Sequence, residues 1–143
     1  MIAAPASTRF APRRALIAFA LTAPAFLALD AVWLTATADS LYRPAIGHLM
    51  RAGFDVVAAA AFYLVYIIGM VIFVVLPATR ARDAAMRGAL FGLVSYSTYD
   101  LTNQATMLGW PWQVTIADLC WGTFATCCAC TFARWAFARR PKR

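Results

Sequence analysis

The sequence has 143 residues, of which 63% are hydrophobic and only 13% are charged. This composition excludes an ordinary soluble domain and predicts a chain that resides in the lipid bilayer. The formal net charge of +7 would suit a nucleic-acid partner, but the basic residues flank apolar segments, so we expect the bilayer as partner and no nucleic acid.

Four apolar segments fill most of the chain, each close to the roughly 20 residues that cross about 30 Å of hydrocarbon. In hydrocarbon each backbone N–H and C=O must be paired within its own segment, so these segments are predicted to be helices. Short connections make neighbouring helices antiparallel. The sequence therefore predicts an all-α integral membrane protein, a four-helix transmembrane bundle with spans at about 15–37, 55–76, 88–108 and 114–136.

The basic residues are distributed unevenly around the predicted spans. Of 13 Lys and Arg residues, only Arg43 and Arg51 fall in the connection after the first span; the others precede the first span, separate the second from the third, or end and follow the fourth. The positive-inside rule then places both termini in the cytoplasm. The chain divides into a basic cytoplasmic segment 1–14, a transmembrane domain 15–137 and a basic cytoplasmic tail 138–143.

The first span begins with basic residues and ends in small ones, as a secretion signal does. Its apolar run is long for a cleaved signal peptide, and an intact first span completes the four-span charge pattern. We therefore expect it to remain as a transmembrane helix.

The acidic residues are confined almost entirely to the outward side. All six are Asp, and only Asp83 falls on the cytoplasmic side. Counted along each helix, Asp30, Asp100 and Asp118 lie roughly 6–12 Å inside the outward half of their spans. A charge at such a depth costs several kcal/mol unless it faces the bundle interior, so we expect these three side chains to converge.

Helical phase adds aromatic and amide side chains to the carboxylates. Tyr96, Asp100 and Asn103 share one stripe of the third span at i, i+4 and i+7. The stripes of the first and fourth spans carry a tryptophan beside the acid. Together these side chains predict an outward-facing acidic pocket with aromatic walls. Its candidate ligand- or ion-binding residues are Asp30, Trp33, Tyr96, Tyr99, Asp100, Asn103, Asp118 and Trp121.

Several carboxylates in one apolar pocket cannot all ionise without compensation. The sequence allows three solutions: protonation with shared hydrogen bonds, pairing with Arg43 or Arg51, or a bound cation. Oxygen ligands from Asp and Asn suit a hard divalent cation, although no local ligand motif is present and no other cofactor is indicated.

The pocket leaves three functions open. The first is binding or movement of a cation, a proton or a cationic solute, since ionisable residues inside a membrane often mark function. The second is a purely structural network that fixes helix packing. The third is a lipid-modifying enzyme, but the sequence leans away from catalysis because His48 is the only histidine and lies in the outer connection.

Small side chains in the third and fourth spans have ordinary packing roles. Gly88 and Gly92 form a GxxxG pattern that permits close helix approach, so a homodimer is possible. The four cysteines of the fourth span include a C-x-x-C spacing, but they lie in the middle of the membrane. We therefore interpret them as small apolar packing residues.

The motifs resemble a known family. They include "DAVWL" at 30–34, "FYLVYIIG" at 62–69, "YSTYDLTNQAT" at 96–106 and "DLCWG" at 118–122. The sequence resembles the bacterial predicted-membrane-protein family catalogued as domain of unknown function 2177, over most of residues 27–125. The resemblance implies four spans, an intact first helix and a bacterial inner-membrane location, and it names no ligand.

Overall fold

The computed structural model describes residues 12–139. Most of the predicted basic segment 1–14 and of the predicted tail 138–143 lies outside the described residues, as do Arg9, Arg140, Lys142 and Arg143. Over residues 12–139 the structure is helical and contains no strand. The all-α fold class is therefore confirmed for this part of the chain.

Residues 12–139 contain four long helices: α1 (Pro12–Thr37), α2 (Val56–Gly69), α3 (Ala81–Thr106) and α4 (Trp112–Ala138). After α1 the chain continues without a break through a π-helical turn, Ala38–Tyr42, an α-helical turn, Arg43–Ile46, and a 3-10 turn, Gly47–Leu49. We call residues 38–49 the helical extension. A π-helical turn, Met70–Val75, likewise prolongs α2.

Among residues 12–139, three stretches are long and apolar enough to cross a membrane: Pro12–Leu49, Val56–Val75 and Trp112–Ala138. Helix α3 has 26 residues and would reach ~39 Å, which is sufficient length. It is not among the three because charged side chains in its first two turns and polar ones in its second half lower its hydropathy. The structure thus supports three membrane spans, and the fourth span remains a prediction.

The helix boundaries have local causes. The Asp55 carboxylate accepts a hydrogen bond from the backbone N–H of Ala58 at 3.0 Å and so caps the start of α2. Between α3 and α4 the chain reverses within five residues, and Gly109 adopts a positive φ of 78° there. Because a side chain strongly disfavours that backbone conformation, glycine makes this tight reversal possible.

Helices α3 and α4 form the closest seam of the bundle. A Cβ atom added at Gly92 would lie 2.1 Å from the Gly122 carbonyl oxygen, and one added at Gly88 would lie 2.9 Å from the Thr126 carbonyl oxygen. Both glycines of the GxxxG pattern therefore pack against α4 of the same chain. Two of the helices that carry acids in their outward halves in the prediction are thus in direct contact with each other.

The remaining core lies between α1, α4 and the prolonged α2. Phe26, Met70 and Val74 are among its largest fully buried side chains. The other face of α2 exposes large apolar side chains, including Val57 and Val65, as expected for a surface that contacts lipid.

Candidate functional site

Three carboxylates are buried in one half of the bundle. Asp30 of α1, Asp100 of α3 and Asp118 of α4 are 6%, 0% and 9% exposed. The indole N–H of Trp121, one turn after Asp118 on α4, donates to Asp30. Asp100 lies on α3, which packs against α4 along the glycine seam. We call these three acids, from three packed helices, the carboxylate cluster.

Asp30 is held by two neutral donors from two other helices. The Tyr63 hydroxyl of α2 donates to Oδ2 at 2.5 Å, and the Trp121 indole N–H of α4 donates to Oδ1 at 3.1 Å. Each carboxylate oxygen thus has a partner, and no cation is needed to satisfy it. Asp30 joins α1 to α2 and α4 through these bonds.

Asp118 receives its donor from the helical extension. The Tyr42 hydroxyl donates to Asp118 Oδ1 and accepts a hydrogen bond from the Trp33 indole N–H at 2.8 Å. The ring of Trp33 stacks on the ring of Trp121, with centroids 4.6 Å apart and planes 6° from parallel. This stack connects the surroundings of Asp118 to the donor that Trp121 provides to Asp30.

Asp100 has a different environment. Its side chain is fully buried, and neither carboxylate oxygen has a hydrogen-bond partner within residues 12–139. An ionised carboxylate without a donor in such a place is costly, so Asp100 favours the neutral acid or a bound positive group. It is the one member of the cluster for which the described part of the chain provides no partner.

The other predicted residues of α3 are distributed around the cluster. Tyr96 is half-buried, touches the backbone position of Gly122 and meets Tyr66 edge-to-face at 6.1 Å. Tyr99 is 60% exposed and packs edge-to-face on Trp110, 5.9 Å between ring centroids. Asn103 is half-buried, and its side chain makes no hydrogen bond within the described range. The structure therefore groups Tyr96 with the cluster and leaves Tyr99 on the bundle surface.

The arginines of the connection between α1 and α2 do not neutralise the buried acids. Arg43 pairs with Asp39 at 3.1 Å, and Arg51 pairs with Asp55 at 2.8 Å. Both arginine side chains are exposed, and both pairs join residues one helical turn apart. Pairing of the buried acids with Arg43 or Arg51, one of the three solutions that the sequence allowed, is therefore not observed.

Sequence reasoning missed two donors, Tyr42 and Tyr63. Neither tyrosine is among the eight candidate residues that depth and helical phase selected, because neither shares a helical stripe with a buried acid. The available signal was the need of buried acids for neutral donors at a similar depth. Which tyrosine meets which acid depends on helix rotation and on the course of the helical extension.

A second polar network closes the turn between α3 and α4. Trp110 donates from its indole N–H to the Thr115 hydroxyl at 3.1 Å, and that hydroxyl donates to Gln104 Oε1 at 3.1 Å. The Gln104 amide donates back to the Trp110 carbonyl at 3.0 Å. This closed ring of bonds holds the ends of the two helices together beside the carboxylate cluster.

Over residues 12–139, no group of three or more His, Cys, Asp and Glu side chains is arranged to hold a metal ion. The cysteines of α4 are free thiols, and only Cys130 is buried. The described residues therefore present no preformed metal centre.

The chain belongs to the predicted membrane protein family DUF2177, whose sequence model matches residues 15–135. This match confirms the resemblance carried by the motifs of the four predicted spans. No curated protein and no solved structure is significantly similar to the sequence. The family description establishes a membrane protein and assigns it no activity.

Proposed function

We propose that the protein binds and exchanges a proton within the membrane, at the buried carboxylates of Asp100 and Asp118 on the two packed helices α3 and α4. The observation that carries this proposal is the absence of any donor to Asp100 within residues 12–139, although its side chain is fully buried. Asp30, in contrast, has a neutral donor on each oxygen.

Two interacting carboxylates in an apolar environment are expected to share protons. Asp118 has the Tyr42 hydroxyl to stabilise its ionised form, whereas Asp100 has no donor in the described residues. A proton on Asp100 removes the unpaired charge and weakens the repulsion from Asp118. The pair then titrates as a unit, with Asp100 as the preferred position of the proton.

Burial favours a proton over a larger ligand. The Asp100 side chain has no exposed surface. A proton reaches such a carboxylate without displacing the surrounding side chains, whereas a cationic solute requires a cavity of its own size. A proton is therefore favoured over a cation or a cationic solute as the ligand of this site.

The proposal places α3 in the membrane as the fourth span. Thr98, Thr102 and Thr106 lie on its exposed face, and their hydroxyls donate to the carbonyl four residues earlier at 2.8, 2.5 and 2.7 Å. Hydroxyls satisfied by their own helix cost little in contact with lipid. These bonds make α3 more compatible with the bilayer than its hydropathy alone indicates.

The proposed topology has both termini in the cytoplasm of a bacterium and the carboxylate cluster in the outward half of its inner membrane. The start of α1 and the end of α4 lie at the same end, because the guanidinium of Arg14 lies 5.7 Å from the Phe137 ring centroid. The loop before α3 is there too, since Arg134 donates to the Thr79 carbonyl at 2.9 Å. Excess basic charge favours the cytoplasmic side. The domain organisation is then the predicted one: segment 1–14, transmembrane domain 15–137 and tail 138–143.

Asp100→Asn tests the proposal through the pH dependence of stability. A group that holds a proton in the folded state and releases it on unfolding stabilises the fold less as pH rises. We expect the melting temperature of the wild type in detergent to fall between about pH 5 and about pH 9, and that of Asp100→Asn to fall clearly less. Asp55→Asn, at an exposed helix cap, is the matched control and is expected to keep the wild-type slope.

Parallel pH profiles of the wild type and Asp100→Asn would contradict the proposal. To distinguish a proton site from a cation site, the melting temperature is also measured at the alkaline end of the pH range with a panel of added metal ions and organic cations. Stabilisation of the wild type by one added cation, lost in Asp100→Asn, would identify a cation site in place of a proton site.

A structural role for the cluster is the second candidate. It is favoured by Asp30, whose bonds to Tyr63 and Trp121 connect three helices. Such interhelical polar bonds fix helix rotation in a membrane bundle. On this alternative, Asp100→Asn changes the melting temperature equally at all pH values and no ligand restores it.

A further inference from the structure

The end of the bundle opposite the carboxylate cluster collects arginines. On α1, Arg14 precedes Asp30 by sixteen residues, or ~24 Å along the helix. The arginines at this end come from the start of α1, the loop before α3 and its first turns, and the end of α4. In the described residues they are Arg13, Arg14, Arg80, Arg82, Arg87, Arg134 and Arg139.

Only one acid lies at this end of the described chain, and it is already engaged. Asp83 pairs with Arg87 at 2.7 Å and accepts a hydrogen bond from the Thr79 backbone N–H at 3.0 Å. The hydrogen bond from Arg87 lowers the pKa of the Asp83 carboxyl, with a weaker contribution from Arg134. Asp83 is therefore not available to neutralise the other arginines.

Two guanidinium groups from different helices converge on a single aromatic ring. Arg14 of α1 and Arg134 of α4 lie 5.7 and 5.8 Å from the centroid of Phe137. Each contact with the ring is favourable, but the two like charges repel each other. An anion between or beside them would remove that repulsion.

Both arginines retain unused hydrogen-bond donors. Arg134 donates from one terminal nitrogen to the Thr79 carbonyl, and its buried Nε has no partner in the described residues. Arg14 is exposed and donates to no protein group within residues 12–139. Guanidinium donors match the oxygens of a phosphate in geometry and charge.

The position of Arg14 and Arg134 at the end of the bundle indicates where the phosphate would come from. Phe137 and Trp135 lie in the last turn of an apolar helix, and Arg139 lies 4.1 Å from the Trp135 ring centroid. Aromatic rings and arginines at the end of a spanning helix occupy the headgroup layer of the bilayer. We propose that Arg14 and Arg134, which both contact the Phe137 ring, bind the phosphate of an anionic phospholipid.

The test measures retention of lipid by the purified protein in mixed micelles. Phosphatidylglycerol is titrated against phosphatidylcholine, and bound lipid is counted by native mass spectrometry. We expect the wild type to prefer phosphatidylglycerol, and Arg14→Gln to weaken that preference about fivefold. Arg134→Gln is expected to act in the same direction, although it also removes the bond to Thr79.

Arg43→Gln and Arg51→Gln are matched controls, because each removes one arginine that is already paired with an Asp at the other end. These controls are expected to keep the wild-type preference. An equal loss in the controls, or no loss in Arg14→Gln, would overturn the proposal. Inorganic phosphate that competes as strongly as the lipid would also overturn it, by identifying a site for a free anion.

Discussion

The two ends of the bundle handle charge in opposite ways. At one end, Asp30 and Asp118 are buried and accept hydrogen bonds from neutral tyrosine and tryptophan side chains. At the other, Arg14 and Arg139 are exposed and lie over aromatic rings. Aromatic residues thus contact charged groups at both ends: they donate hydrogen bonds to the buried carboxylates, and their ring faces form cation–π contacts with the exposed arginines. Depth decides which role applies, because only the buried charge must be satisfied entirely by protein groups.

The largest loss is expected when a buried acceptor is removed from the acidic end. Asp30→Leu leaves the Tyr63 hydroxyl and the Trp121 indole N–H without their acceptor. Two orphaned donors at about 1 kcal/mol or more each predict a loss of about 2–3 kcal/mol in the free energy of unfolding. Unfolding in a detergent titration measures it. A loss no larger than that of Asp55→Asn would show that the buried bonds are no stronger than exposed ones.

Removal of a single donor hydroxyl is expected to have the next largest effect. Tyr42→Phe and Tyr63→Phe each deprive a buried carboxylate of a hydrogen bond and are predicted to cost about 1–2 kcal/mol. Tyr99→Phe is the matched control, since Tyr99 is exposed and makes no side-chain hydrogen bond within the described residues. The same unfolding titration compares the three variants. An equal cost at all three positions would remove the distinction between buried and exposed hydroxyls.

The smallest effect is expected at the basic end. Asp83→Asn removes the partner of Arg87 from an exposed pair, so the stability at neutral pH should change little. Because the pKa of Asp83 is lowered in the fold, its contribution is present above the ordinary pKa of an aspartate and is lost as pH falls through the lowered value. Melting curves of the wild type and Asp83→Asn should therefore converge in acid. A large loss at neutral pH would contradict the contrast between the two ends.

Helical phase and depth predicted the inward direction of the acids, and the structure buries Asp30, Asp100 and Asp118. The same reasoning could not assign their partners. Sequence reasoning named Arg43 and Arg51 as candidate partners, but each forms an ion pair with an Asp one helical turn away in its own segment. A local pair of this kind forms without moving a charge into the bundle, so it is favoured over a pair that requires burial.

The pairing of helices was equally undetermined. A GxxxG pattern indicates that some helix approaches closely, and the sequence could not say whether that helix belongs to the same chain or to a second copy. The structure places α4 of the same chain against Gly88 and Gly92. Both glycines are buried by that contact.

The sequence by itself determined the membrane environment, the helical class and the periodic faces on which the acids lie, since bilayer thickness and backbone hydrogen bonding act on each segment separately. Only the tertiary structure decided that Tyr42 and Tyr63 supply donors and that Asp100 receives none within the described chain. Those outcomes depend on how four helices and the helical extension rotate against one another. That rotation is set by packing between segments, which no single segment encodes.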